Sequence, residues 1–89
     1  MRPGRAVEIV NEAGIHARPA AEIVKLSAKF RSEIFIEKDG MEVNAKSIMG
    51  VMMLAAECGS TVMIRAEGDD AVAALDALAD LITNGFGER

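Results

Sequence analysis

Aromatic residues and positive charge are both scarce in this chain of 89 residues. It contains no Trp, no Tyr and three Phe, and its 10 basic residues face 14 acidic ones, for a net charge of −4. Proteins that bind nucleic acid usually carry a basic excess, and those that bind single strands add aromatic side chains on which bases stack. We therefore expect no nucleic-acid partner.

Metal-ligating and thiol residues are almost absent, since the chain has one cysteine, Cys58, and one histidine, His16. A single cysteine cannot form an internal disulfide, and one His with one Cys is too few for a structural zinc site. We expect no metal and no cofactor. A nucleophilic pair of Cys58 with His16 stays open, because such pairs are adjacent only in space. The small residues around Cys58 favour a packed or half-exposed thiol.

Long apolar runs are also absent, which excludes a membrane-spanning helix and membrane insertion. The opening Met1–Arg5 holds two arginines but is not followed by an apolar segment, so it does not resemble a signal peptide. A cytoplasmic location is the expectation. A chain of this length supports one hydrophobic core, which predicts a single domain over residues 1–89.

The hydrophobic pattern predicts seven elements in the order βαββαβα. Strands are predicted over residues 5–10, 32–37, 41–44 and 61–66, and helices over residues 19–29, 48–56 and 71–83. Asp39-Gly40 lies between two strand patterns and is typical of a tight hairpin. Asp70 is placed to cap the last helix, and residues 87–89 are expected to fray. The hairpin and the one-sided apolar alternation favour an antiparallel sheet with helices on one side.

The stretch from Gly14 to Ala20 holds the histidine, an arginine and a proline where a strand gives way to a helix. Gly14 permits a sharp turn, and Pro19 is tolerated in a first helical turn. The free N–H groups of a helix start attract anions, and Arg18 adds donors that suit phosphate oxygens. These residues suggest that His16 carries a phosphoryl group. The alternative is a histidine that only caps the helix.

The predicted helix 48–56 is apolar nearly all round, whereas a surface helix normally has a polar face. Ser47 lies at its N-cap position. Its residues Val51, Leu54 and Ala55 can face a core, which leaves Ile48, Met49 and Met52 together. Flexible methionines on an exposed patch suit docking to several partners. The alternative is that all of these residues belong to the core.

Two motifs together resemble a known family. Gly14-Ile15-His16-Ala17-Arg18-Pro19-Ala20 and Lys46-Ser47-Ile48-Met49-Gly50-Val51, with the order of strands and helices, resemble the HPr family. These are the histidine-containing phosphocarriers of the bacterial phosphoenolpyruvate-dependent sugar phosphotransferase system. The resemblance covers residues 7–82. It implies an α+β open-faced β-sandwich, in which three helices cover one face of a four-stranded antiparallel sheet.

The resemblance also implies a function. His16 would accept a phosphoryl group on Nδ1 from phosphorylated Enzyme I and pass it to EIIA domains, while Arg18 steadies the phosphoryl oxygens. The exposed patch of Ile48, Met49 and Met52, together with Ala21 and Lys25, would dock both partners. Ser47 matches a serine that a dedicated kinase phosphorylates in part of the family. The chain would be a transfer intermediate, not an enzyme with free turnover, and we expect a monomer.

Two other functions stay open. A regulatory or nitrogen-branch module of the same family would act by docking through the helix 48–56 patch. A hydrolase or transferase using His16 as a base is less well supported, because the sequence has no paired carboxylate motif and no nucleotide-binding loop.

Overall fold

The computed structural model describes residues 2–88, so Met1 and Arg89 lie outside the description. Within these residues the strands are β1 (Gly4–Glu8), β2 (Glu33–Lys38), β3 (Met41–Asn44) and β4 (Thr61–Glu67), and the helices are α1 (Ala17–Ser27), α2 (Ile48–Met53) and α3 (Ala71–Thr83). A short 3-10 turn, Gly85–Gly87, follows α3. No helix between residues 2 and 88 is long and apolar enough to cross a membrane.

The four strands form one antiparallel sheet in the order β1-β4-β2-β3. The predicted hairpin is confirmed: Asp39 and Gly40 connect β2 to β3, and Lys38 pairs with Met41. Asp39 has a φ of 51° and Gly40 a φ of 85°. Positive φ at both central residues is the geometry that Asp-Gly favours in two-residue hairpins, because it matches the twist of the strands.

One face of the sheet forms the core. Alternate residues of the two central strands are fully buried, namely Ile34, Ile36, Val62, Ile64 and Ala66. Helix α3 packs against β1, β4 and β2, and α2 packs against β3. A period of two in the strands brings every second side chain under these helices. The expected four-stranded antiparallel sheet with three helices on one face is confirmed.

Helix α1 starts at Ala17 and not at Pro19, so His16 becomes its N-cap residue. Helix α2 is shorter than predicted and ends at Met53 instead of residue 56. Its continuation is blocked because Ala55 has a φ of 49°, in the left-handed region that L-residues adopt only at a cost. Ala55 is exposed, so the expectation that it faces the core is wrong.

Strand β1 ends at Glu8 and not at residue 10. Ile9 still bonds to the segment before β4: its N–H donates to Ser60 O, and its carbonyl accepts from Gly59 N, both at 2.8 Å. The side chain of Ile9 is fully buried, while Val10 is exposed. Ile9 therefore stays hydrogen-bonded to the segment before β4, although it is no longer part of strand β1.

The C-terminal segment does not fray as expected. Gly87 belongs to the 3-10 turn, and the N–H of Glu88 donates to Gly85 O at 2.9 Å. Phe86 holds this turn in place because its side chain is buried. Arg89, for which fraying is also expected, lies outside the described residues.

Asp70 occupies the N-cap position of α3, but its side chain does not cap the helix. Its carboxylate instead accepts hydrogen bonds from the N–H groups of Arg31 and Ser32, each at 2.9 Å, and from the Ser32 hydroxyl. These bonds, led by that from the hydroxyl, lower the pKa of Asp70 from 3.8 to about 2. Asp70 therefore ties the start of α3 to the start of β2.

The Asp70 contact predicts an acid-dependent loss of stability. A carboxyl group with a lower pKa in the folded state stabilises the protein fully above its unfolded pKa, and the effect disappears as pH falls through the folded value. We expect the free energy of unfolding of the wild type to exceed that of Asp70→Asn at neutral pH. The difference should shrink as pH falls from about 5 to about 2.

Urea denaturation of both proteins over this pH range measures the difference directly. Other titrating groups, including Glu88, cancel in the comparison because both proteins share them. The variant Ser32→Ala removes the hydroxyl donor and should itself weaken the pH dependence. A difference that stays constant from neutral pH to pH 2 would contradict the role of the Asp70 carboxylate.

Candidate functional site

The imidazole of His16 lies at the start of α1 and is accessible. His16 is the N-cap residue, with extended backbone angles (φ −100°, ψ −166°), but its side chain makes no capping hydrogen bond. The side chain is 43 % exposed. The alternative that His16 serves only as a helix cap is therefore not supported, because its ring makes no hydrogen bond to the N–H groups that a cap would bind.

Gly14 lets the segment before His16 approach a neighbouring loop closely. Its φ is +68°, and a Cβ at this position would lie 2.5 Å from Ala56 O and 2.9 Å from Glu57 Cα. The next N–H, that of Ile15, donates to Ala56 O at 2.8 Å. Since only glycine fits this approach, Gly14 determines where His16 enters the helix.

The first turn of α1 presents unpaired donors beside the ring. Among the hydrogen bonds of residues 2–88, none comes from the backbone N–H of Ala17 or Arg18. Pro19, next in the chain, has no N–H to satisfy, and its ring is buried. Free N–H groups and the positive end of a helix dipole are features that attract anions.

A carboxylate from the far end of the chain contacts this site. Glu88 Oε1 lies 2.9 Å from His16 Nε2 and accepts from Asn11 Nδ2 at 2.8 Å. Its Oε2 accepts from Arg18 Nε at 3.1 Å and from Arg18 Nη2. Arg18 also donates to Glu22 on its own helix, at 3.0 Å. The structure thus brings His16 and Arg18 together around one carboxylate.

The charges of this cluster support one another. Hydrogen bonds from His16, Arg18 and Asn11, in that order of importance, lower the pKa of Glu88 from 4.5 to about 2. The bond to Glu88 in turn raises the pKa of the Arg18 guanidinium. Glu88 is therefore a carboxylate and Arg18 a cation throughout the physiological range, as in other charge-assisted pairs.

Sequence reasoning missed two members of this cluster, Asn11 and Glu88. Asn11 reads as a turn residue, yet it is buried, and its Nδ2 also donates to Gly14 O at 2.7 Å. Glu88 is separated from Asn11 by 77 positions and lies in a segment without periodicity. No local pattern could identify Glu88, because its contact depends on how the chain turns after α3.

Most of the apolar residues of α2 face outward. Met49 is 72 % exposed, and Ile48, Met52 and Met53 are about half exposed or more. We call these four residues the α2 patch. The alternative that they are all core is wrong, since only Val51 of the helix is buried. The exposure of Met53 was not predicted from the sequence.

The other predicted docking residues lie on the neighbouring helix. Ala21 is half-buried and Lys25 is exposed, both on α1, which packs against α2. Ser47 is the N-cap of α2, and its Oγ accepts from Gly50 N at 3.1 Å, as the sequence predicted. The Ser47 side chain is exposed and directly precedes the α2 patch.

Cys58 lies in a loop beyond the end of α2 and is exposed. Its sulfur is 3.7 Å from the carbonyl oxygen of Val10. The structure records no contact between this thiol and His16. In the part of the chain that the structure describes, no group of three or more His, Cys, Asp and Glu side chains is arranged to hold a metal ion.

This fold and site correspond to a family of known proteins. A family model described as the PTS HPr component phosphorylation site matches residues 4–84. The phosphocarrier protein HPr of Treponema pallidum is 51 % identical over 85 residues, which cover 96 % of this chain and 97 % of that protein. The chain therefore belongs to the HPr family.

Solved structures of the family have the same fold. HPr from Thermoanaerobacter tengcongensis superposes with a TM-score of 0.93 at 50 % identity and covers 98 % of each chain. Crh, a catabolite-repression protein of Bacillus subtilis, has a TM-score of 0.76 at 46 % identity, covering 89 % of this chain and 91 % of that one. Its crystal structure is described as an intertwined dimer with a swapped domain.

The close approach at Gly14 predicts a large effect of a small substitution. We expect Gly14→Ala to lower the free energy of unfolding by about 2–4 kcal/mol, because the added Cβ meets backbone atoms in a left-handed conformation. Gly40→Ala is the matched control: Gly40 also has a positive φ, but nothing lies within 4 Å of its Cβ position. That change should cost about 1–2 kcal/mol, from the backbone alone.

Chemical denaturation of the two variants separates the two costs. Equal losses for Gly14→Ala and Gly40→Ala would show that the contact with Ala56 does not constrain this position.

Proposed function

We propose that His16 carries a phosphoryl group in the phosphotransferase system, accepting it from phosphorylated Enzyme I and passing it to EIIA domains. The observation that carries this proposal is an exposed imidazole at the start of α1, with the Arg18 guanidinium and free backbone N–H groups beside it. Family membership adds its support, since relatives that cover nearly the whole chain are phosphocarriers. We further propose that residues 1–89 act as one domain.

The transfer step needs a nucleophile and a place for the negative charge. The lone pair of His16 Nδ1 forms the new bond to phosphorus while the bond between phosphorus and the donor breaks, and the donor keeps that electron pair. The N–H groups of Ala17 and Arg18 then offer hydrogen bonds to the phosphoryl oxygens. Because phosphoryl transfer depends mainly on positioning and charge stabilisation, the partner's site can complete the arrangement.

Docking of both partners is proposed for the α2 patch together with Ala21 and Lys25. Exposed methionines and one isoleucine beside a helix start form a flexible apolar surface that can adapt to different partners. Transient docking needs this surface to be free, so we propose that the protein is a monomer. We also propose that it acts in the cytoplasm. The chain would be a transfer intermediate and not an enzyme with its own turnover.

Ser47 is proposed as a site of regulatory phosphorylation by a dedicated serine kinase. Its hydroxyl is exposed and lies at the edge of the α2 patch. A phosphate there adds a charge of about −1.5 to −2 within the docking surface. Such a charge would oppose docking to an acidic partner surface.

A second candidate is a regulatory or nitrogen-branch module that docks through α2 without carrying phosphate. The similarity to Crh favours it. The intact pair of His16 and Arg18 favours the carrier, because docking alone requires neither side chain. Both candidates are distinguished by the dependence of the function on His16.

Phosphorylation of His16 is the direct test. After incubation with phosphoenolpyruvate and the cognate Enzyme I, intact mass should increase by one phosphoryl group that acid removes, since phosphohistidine is acid-labile. His16→Ala should gain none. If the wild type gains none while Enzyme I is active, or if His16→Ala is phosphorylated equally, the carrier proposal is wrong and the docking module becomes the better candidate.

A negative charge at position 47 should slow transfer. We expect Ser47→Asp to reduce the rate of phosphoryl transfer from Enzyme I by about ten- to a hundredfold, because like charges across an interface weaken association. Ala73→Asp is the matched control, with the same charge added to the exposed first turn of α3, away from α2. Transfer rates measured for both variants test the docking surface, and equal rates would contradict it.

A further inference from the structure

The Glu88 carboxylate contacts only one of the two ring nitrogens of His16. One carboxylate oxygen lies 2.9 Å from Nε2, while among the side-chain hydrogen bonds of residues 2–88 none involves Nδ1. An ionised carboxylate can accept a hydrogen bond but cannot donate one. The proton of the neutral imidazole must therefore lie on Nε2, which leaves the lone pair of Nδ1 free.

The turn that follows α3 determines the position of Glu88. Gly85, Phe86 and Gly87 have φ values of 64°, 59° and 74°, and this run of left-handed residues turns the chain back after α3. The buried Phe86 side chain anchors the turn, and its carbonyl accepts from Arg18 Nη2 at 3.2 Å. As a result the Glu88 side chain is only 21 % exposed.

Two further donors fix the orientation of this carboxylate. The amide of the buried Asn11 holds Oε1, the same oxygen that faces the imidazole, and the Arg18 guanidinium holds Oε2. With each oxygen bound, the carboxylate cannot rotate away from the ring without losing charge-assisted bonds. Its geometry is thus determined before any partner arrives.

We propose that Glu88 is a positioning residue for His16: its carboxylate holds the imidazole proton on Nε2 and so presents Nδ1 as the nucleophile. The part of this inference that concerns phosphoryl transfer rests on the proposed function. During transfer the Nδ1 lone pair becomes the bond to phosphorus, the Nε2 proton stays in place, and the ring gains positive charge. The neighbouring carboxylate stabilises that charge, as a carboxylate does for a catalytic histidine elsewhere.

The tautomer of His16 can be measured without any partner protein. In protein labelled with ¹⁵N at the imidazole, at a pH where the ring is neutral, the nitrogen shifts distinguish a protonated nitrogen from a free one. We expect protonated Nε2 and free Nδ1 in the wild type. In Glu88→Ala the ratio should move toward the Nδ1–H tautomer by about tenfold, the value of one charge-assisted hydrogen bond.

Two variants separate this role from general effects on the site. Glu88→Gln keeps a carbonyl acceptor and should retain more of the Nε2–H tautomer than Glu88→Ala. Glu22→Gln removes the other carboxylate that binds Arg18. Because Glu22 makes no hydrogen bond to the imidazole, this change should leave both imidazole shifts unchanged. Identical ¹⁵N shifts in the wild type and Glu88→Ala would overturn the proposal, as would an equal change in Glu22→Gln.

A kinetic measurement then tests the consequence for transfer. We expect Glu88→Ala to lower the maximal rate of phosphorylation by Enzyme I by about tenfold with little change in KM, because docking through α2 is retained. An unchanged rate would overturn the kinetic part of the proposal. If the wild type takes no phosphoryl group at all, the proposed function fails, while the ¹⁵N shifts still decide the role of Glu88.

Discussion

One short contact determines where His16 lies: the hydrogen bond from Ile15 N–H to Ala56 O, beside a glycine that has no Cβ. Because Gly14 adopts a left-handed conformation against this carbonyl, the chain turns directly into α1. His16 then becomes the N-cap residue, and the N–H groups that follow it remain free. The loop after α2 therefore supports the start of α1 through its backbone.

The same loop explains why α2 leaves an apolar surface exposed. The helix has six residues, and Ala55 ends it in a left-handed conformation so that Ala56 can meet Ile15. A helix this short buries one side chain, Val51, and its remaining large apolar residues face outward. Exposure of Met49 and its neighbours is thus a consequence of the backbone path, and it places a deformable surface on the helix that packs against α1.

The side chains of His16 and Arg18 are accessible to solvent and are also held in place by hydrogen bonds to Glu88. The imidazole and Arg18 are each almost half exposed. Glu88 orders both without covering them, through bonds that keep it ionised well below neutral pH. A carboxylate held in this way acts on the ring through a hydrogen bond and on Arg18 through charge, so a small segment after α3 influences both side chains.

The sequence by itself determined the order of the elements, the Asp39-Gly40 hairpin, the Ser47 cap and the position of His16 at a helix start. Each of these depends on interactions among residues close in the chain, such as hydrophobic periodicity, turn conformation and capping. Only the tertiary structure decided where α2 ends and which carboxylate meets His16. Glu88 lies 72 positions from that histidine, and their contact depends on the packing of α3 and Phe86, which no local pattern records.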